Sequence, residues 1–132
     1  MENFNVGIIG TGSIVHAHLT ALLNMSDIKI KWVTDITKNN LLKIKKAYKI
    51  NTIDLSNSNI DLSNIDIALI LIPYWARKKY YDLLKREQVA IYVEKPFAKS
   101  EKEHINICSD FVSYKLAVGF QRRALGKVSI LK

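Results

Sequence analysis

The sequence predicts a three-layer α/β/α domain built on a doubly wound parallel sheet. Three observations predict it. Strand and helix patterns alternate along almost the whole chain, which calls for parallel crossovers. The runs at Val6–Ile9 and Ile67–Ile72 are nearly continuous in apolar residues, as in strands buried on both faces. A Gly-x-Gly turn, Gly10-Thr11-Gly12, leaves the first of these runs and opens directly onto a helix pattern.

Asn5–Ile9 reads as the first strand and Ser13–Asn24 as the first helix, with Ile14, Leu19, Leu22 and Leu23 on its apolar face. Lys29–Thr34 is a second strand ending at the acid Asp35, and Lys38–Tyr48 a second helix. Asn51–Asp54 is a weak third strand, and the Asn/Ser-rich stretch 56–64 a loop. Ile67–Ile72 is a central strand that Pro73 terminates. A helix at Ala76–Arg86, a strand at Ala90–Val93, a helix at Ser100–Phe111 and a strand at Lys115–Val118 complete the series.

The 132 residues suffice for one domain with an ordinary core. The longest apolar run is too short to cross a bilayer, and nothing resembles a signal peptide, so the expected location is cytoplasmic, without membrane partners. Cys108 is the single cysteine, which excludes a disulfide framework. Its place in a helix suggests a small buried hydrophobe. His16, His18 and His104 have no spacing that predicts a metal site. The formal charge of +8 is spread over helix faces, as at Lys43, Lys45, Lys46 and Lys49, and no nucleic-acid motif accompanies it. The chain is therefore not expected to bind nucleic acid.

The ligand edge of such a sheet lies at the carboxyl ends of its strands, beside the point where strand order reverses. That rule gathers Gly10–Ser13, Asp35, Ile72–Pro73 and Glu94-Lys95-Pro96. Gly10 permits a tight turn, and Gly12 lets the backbone approach a pyrophosphate. Free N–H groups at the helix start attract that anion. Val15 stands where a smaller residue is expected, so the helix must stand off the strand or the turn must shift. Asp35 sits where an acid would bind ribose hydroxyls; a turn or N-cap aspartate is the alternative. Lys95 would hold a substrate oxygen and stabilise charge developing there. Glu94 would orient Lys95 or contact a ribose; an ion pair before a proline turn is the alternative.

Gly10–Ile14 with His18, then Val33–Asp35, Ile72-Pro73, Glu94–Ala98 and Val118–Arg123 resemble, in order and spacing, the glucose–fructose oxidoreductase / inositol dehydrogenase / MocA (Gfo/Idh/MocA) family. The resemblance implies a Rossmann domain over residues 1–119, a short stub of a second domain at 120–132, and an NAD(P)-dependent oxidoreductase acting on sugars or cyclitols. Carried over, Gly10, Thr11, Gly12, Ser13 and Ile14 would cradle the pyrophosphate, and Asp35 the adenosine ribose. Ile72 and Pro73 would line the cleft, and Glu94 and Lys95 would flank the nicotinamide, with Lys95 the catalytic residue. Gln121 and Arg122 match a segment near the nicotinamide. Arg77 stands where the family often has histidine, and no role is assigned to it.

Family enzymes carry a second, antiparallel-sheet domain after this segment, and the sequence has no room for one. The expectation is thus a truncated or split dehydrogenase, completed by a separate chain, or a non-catalytic dinucleotide-binding module. An S-adenosylmethionine methyltransferase shares the glycine turn and strand-end acid, but Glu94-Lys95-Pro96 argues against it. Asp35 would repel a 2′-phosphate, favouring NAD over NADP, while Lys38 nearby softens the preference.

Overall fold

The computed structural model describes residues 3–54 and 60–120. Six parallel strands form one sheet: β1 (Phe4–Ile9), β2 (Ile28–Asp35), β3 (Thr52–Asp54), β4 (Ile67–Ile70), β5 (Ala90–Val93) and β6 (Leu116–Val118), in the order β3-β2-β1-β4-β5-β6. The helices are α1 (Val15–Leu23), α2 (Lys38–Tyr48), α3 (Lys78–Arg86) and α4 (Glu101–Asp110). The order reverses between β1 and β4, which makes the gap between their carboxyl ends the switch point.

Alternation along the strands sends side chains to two cores. Val6, Ile8, Val33 and Leu69 pack with Val15 and Leu19 of α1 and Ile44 of α2. Ile9, Trp32, Ala68, Ile70, Ile91 and Val93 pack on the other face with Tyr80, Tyr81 and Leu84 of α3 and Ile107 of α4. The predicted doubly wound, three-layer domain is therefore present, with α1 and α2 on one face and α3 and α4 on the other.

The β1–β2 register slips between Val6 and Gly7, so that Val6 pairs with Ile30 but Gly7 with Trp32. The extra residue, Lys31, changes the parity of β2. Ile30 and Val33 can then both serve the α1/α2 core, while Trp32 turns to the opposite face. There its ring lies over Gly7, and a Cβ on that glycine would collide with it. Trp32 Nε1 donates to the Asp61 carbonyl at 3.1 Å, so the indole is satisfied within the core.

Element ends differ from expectation for local reasons. Helix α1 begins at Val15, two residues after Ser13, because Gly12–Ile14 form a turn in which Val15 N–H donates to the Gly12 carbonyl at 3.1 Å. Val15 is fully buried, so the shifted turn accommodates the larger side chain. Strand β4 stops at Ile70; the Ile72 carbonyl is taken by a side chain of Arg77 rather than by the sheet. A short 3-10 turn at Tyr74–Ala76 then delays α3 to Lys78. Ser100 caps α4 by accepting from Glu103 N–H at 3.2 Å, and Glu103 accepts from Lys99 N–H at 2.7 Å. Cys108 is exposed, not buried as its helical setting suggested; Ile107 takes the inward position instead. Among the described residues, no helix is long and apolar enough to cross a membrane.

Candidate dinucleotide site

A cleft of about 380 Å³ opens at the switch point. Gly10, Thr11, Gly12, Asp35, Ile72 and Pro73 line it, with Thr37, Trp75 and Lys79 at its edges. Six of the residues read from the sequence thus meet in one cavity.

Each glycine of the turn is required differently. Gly10 has φ +107°, and a Cβ there would lie 2.7 Å from Ile72 Cγ2 and 2.8 Å from the Leu71 carbonyl oxygen. Strain and backbone contact both exclude a side chain. A Cβ on Gly12 would meet no atom of the described residues within 4 Å. Gly12 therefore leaves open space beside the start of α1. That start has Ile14 as N-cap with no side-chain hydrogen bond to its N–H groups, and Ser13 and Ile14 are exposed. A helix N-terminus without a side-chain cap, next to exposed Gly12 backbone, fits a pyrophosphate.

Asp35 closes the other side of the turn. Its Oδ2 accepts from Thr11 N–H at 2.7 Å and from the Thr11 hydroxyl at 2.5 Å, and its Oδ1 accepts from Thr37 N–H at 2.7 Å. Burial opposes ionisation of this carboxyl, but the hydrogen bonds from Thr11 and Thr37 outweigh it and hold the pKa below the ordinary carboxylate value. The turn contact expected as the alternative reading is thus present, while the N-cap of α2 is Thr37. The carboxylate remains on the cleft wall.

Glu94 and Lys95 leave the end of β5 before a cis Lys95–Pro96 bond. Glu94 Oε1 lies 3.0 Å from His18 Nε2 and accepts from the Tyr92 hydroxyl at 3.0 Å. The Glu94–Lys95 contact runs through backbone: Lys95 N–H donates to Glu94 Oε2 at 3.3 Å. The carboxylate is thus fixed by α1 and β5, and the lysine is exposed. Burial, then the hydrogen bond to Glu94 and its charge, push the Tyr92 phenol up to about 12. Gly119 is confined by this cluster, since a Cβ there would lie 2.5 Å from the Tyr92 hydroxyl and 2.9 Å from Glu94 Oε1. Gln121 and Arg122 lie outside the described residues.

Two residues gained roles that sequence reasoning had not given them. His18 belonged to the family pattern, and the structure brings it to Glu94 across 76 residues of sequence. Arg77 is 2% exposed. Its Nε donates to the Ile72 carbonyl at 2.8 Å and its Nη1 to the Pro96 carbonyl at 2.7 Å. Its only sequence signal was the departure from histidine. Its charge also bears on the buried Tyr81 phenol, which burial raises and Arg77 pulls back down.

Comparison with known proteins agrees with this geometry. Residues 4–119 match the oxidoreductase family with an NAD-binding Rossmann fold, Gfo/Idh/MocA. Glucose-6-phosphate 3-dehydrogenase of Bacillus subtilis is 28% identical over 129 residues, which cover 96% of this chain and 36% of that protein. A putative NADPH-dependent oxidoreductase from Desulfitobacterium hafniense superposes with a TM-score of 0.84 at 19% identity, covering 99% of this chain and 39% of that one. Lactobacillus casei scyllo-inositol dehydrogenase with bound NAD(H) and scyllo-inositol gives 0.80 at 16% identity, covering 98% and 40%. The chain thus spans little more than a third of the length of these relatives. It belongs to the Gfo/Idh/MocA oxidoreductase family, of which it carries the NAD-binding Rossmann domain.

Proposed function

We propose that residues 1–119 bind NAD(H) across the switch point and serve hydride transfer to or from a hydroxyl carbon of a sugar or cyclitol. Residues 120–132 begin a second domain, and substrate contacts come from that domain or from a separate chain. The observation that carries the reading is Gly12: the open space at its α-carbon adjoins an uncapped helix start.

In this reading Gly10, Thr11, Gly12, Ser13 and Ile14 hold the pyrophosphate, and Asp35 uses its remaining acceptor capacity for the adenosine ribose. The bonds from Thr11 and Thr37 keep Asp35 ionised, which opposes a 2′-phosphate and favours NAD over NADP. Ile72 and Pro73 form the cleft wall on the β4 side of β1, toward which the nicotinamide half extends, and Glu94 and Lys95, at the end of the neighbouring β5, flank that half. The nicotinamide, when bound, supplies the hydride chemistry. Lys95 donates a hydrogen bond to the reacting oxygen and stabilises charge on it. Glu94, already held by His18 and Tyr92, fixes the backbone of Lys95 instead of acting as a free base. The dehydrogenase activities of the relatives favour sugar-type substrates.

The test is a titration with NADH and NADPH, followed by an oxidation assay over a panel of sugars, sugar phosphates and inositols. Micromolar NADH binding with turnover that Lys95→Met abolishes supports the proposal. Binding without turnover on any substrate would reduce the chain to a dinucleotide-binding module, and failure to bind either dinucleotide would overturn both readings.

A further inference from the structure

Arg77 is among the largest fully buried side chains, and it forms no ion pair among the described residues. A buried guanidinium is costly unless its N–H groups are used. Here two of them are, to carbonyls outside the helix that Arg77 begins, and the guanidinium also lies beside the Tyr81 phenol of that helix. One is the Ile72 carbonyl, where the chain leaves β4; the other is the Pro96 carbonyl, just past β5. The planar fork of an arginine fixes the spacing between two acceptors in a way that a point charge cannot. Ile72 and Pro73 line the cleft, and Pro96 follows Lys95 directly.

The Ile72–Pro73 end of this clamp shares the cleft with Asp35, while the sheet order carries its Lys95–Pro96 end away from that carboxylate. Asp35 ends β2 on one side of β1, whereas β4 and β5 lie on the other. A dinucleotide with its adenosine at Asp35 and its pyrophosphate at Gly12 extends its second half toward Ile72 and Lys95. We infer that Arg77 is a positioning residue for the nicotinamide ring of the cofactor, clamping the Ile72–Pro73 wall to the Lys95–Pro96 turn. The inference rests on the dinucleotide reading above. It assigns Arg77 no contact with cofactor or substrate; it acts through the two carbonyls it holds.

The experiment compares wild type, Arg77→Lys and Arg77→Met in binding NADH, NADPH and ADP-ribose, with folding followed by circular dichroism. Arg77→Lys keeps the charge and loses the fork. The expected result is a folded Lys variant whose affinity for the preferred dinucleotide falls about tenfold, as preorganisation is lost, while ADP-ribose affinity stays within about twofold. Arg77→Met shows the same selective loss or a larger one. Equal weakening of dinucleotide and ADP-ribose, unchanged affinity for both, or an unfolded Lys variant would overturn the inference and leave Arg77 a residue of the fold alone. Wild type that binds no dinucleotide would instead overturn the function proposed above, so the two failures are distinct.

Discussion

The Asp35 carboxylate and Thr11 are joined twice, through the Thr11 N–H at 2.7 Å and its hydroxyl at 2.5 Å. The end of β2 thus holds the middle of the glycine turn. Thr11→Val keeps the amide bond and removes the hydroxyl. It should cost about 1.5–3 kcal/mol of stability, the worth of one hydrogen bond to a charged group, measured by urea unfolding. No loss would mean the hydroxyl contributes nothing to the turn.

The same bonds set an acid dependence. A carboxylate whose folded pKa lies below its unfolded value stabilises above that value and loses the contribution as pH falls through the folded pKa. The ordinary value is 3.8, and the folded value of Asp35 is lower. Wild type should therefore lose this contribution below pH 4. Asp35→Asn should be less stable at pH 6 and should show a shallower fall in melting temperature between pH 4 and pH 2. Parallel curves for the two proteins would remove the assignment.

Glycines at three positions should fail in three ways. Gly12→Ala should leave the melting temperature nearly unchanged and weaken dinucleotide binding, because its Cβ enters only open space in the cleft. Gly7→Ala meets the Trp32 ring and should destabilise by about 1–3 kcal/mol, as overpacking does. Gly10→Ala combines a positive φ with backbone contact at Leu71 and should be the most damaging to folding. Thermal melts with parallel NADH titrations separate the three. A Gly12→Ala protein that binds NADH like wild type would contradict the placement of the pyrophosphate.

Tyr92 predicts behaviour in alkali. A phenol raised from 10.0 to about 12 contributes stability below pH 10, and that stability is lost as the pH rises through the folded value. Wild type should lose more stability between pH 10 and pH 12 than Tyr92→Phe does. Glu94→Gln should bring Tyr92 ionisation, followed by its ultraviolet absorbance, to lower pH, since burial remains but the carboxylate is gone. An unmoved titration would detach Tyr92 from Glu94.

The fold was legible because buried parallel strands are written as plain apolar runs. Ala90–Val93 and Lys38–Tyr48 begin and end as the pattern of residues predicts. Boundaries failed where side chains took over backbone groups, as when Arg77 claimed the Ile72 carbonyl. The cleft residues were legible because glycines and a strand-end acid occupy fixed offsets in such turns. The partners of Glu94 were hidden, since nothing local in the sequence says that a histidine on α1 will meet a carboxylate on β5. Cys108 was misplaced because an apolar neighbour one position away, Ile107, faces the core.

The molecule also carries two built-in reporters. Its two tryptophans differ sharply: Trp32 is 5% exposed over Gly7, and Trp75 is 74% exposed at the edge of the cleft. Emission from the first is expected at shorter wavelength and tracks integrity of the sheet. The second emits as a hydrated indole and lies where an arriving nucleotide can quench it. Unfolding and ligand occupancy can thus be followed in one cuvette without a label, with Trp75→Phe silencing one channel and leaving the other.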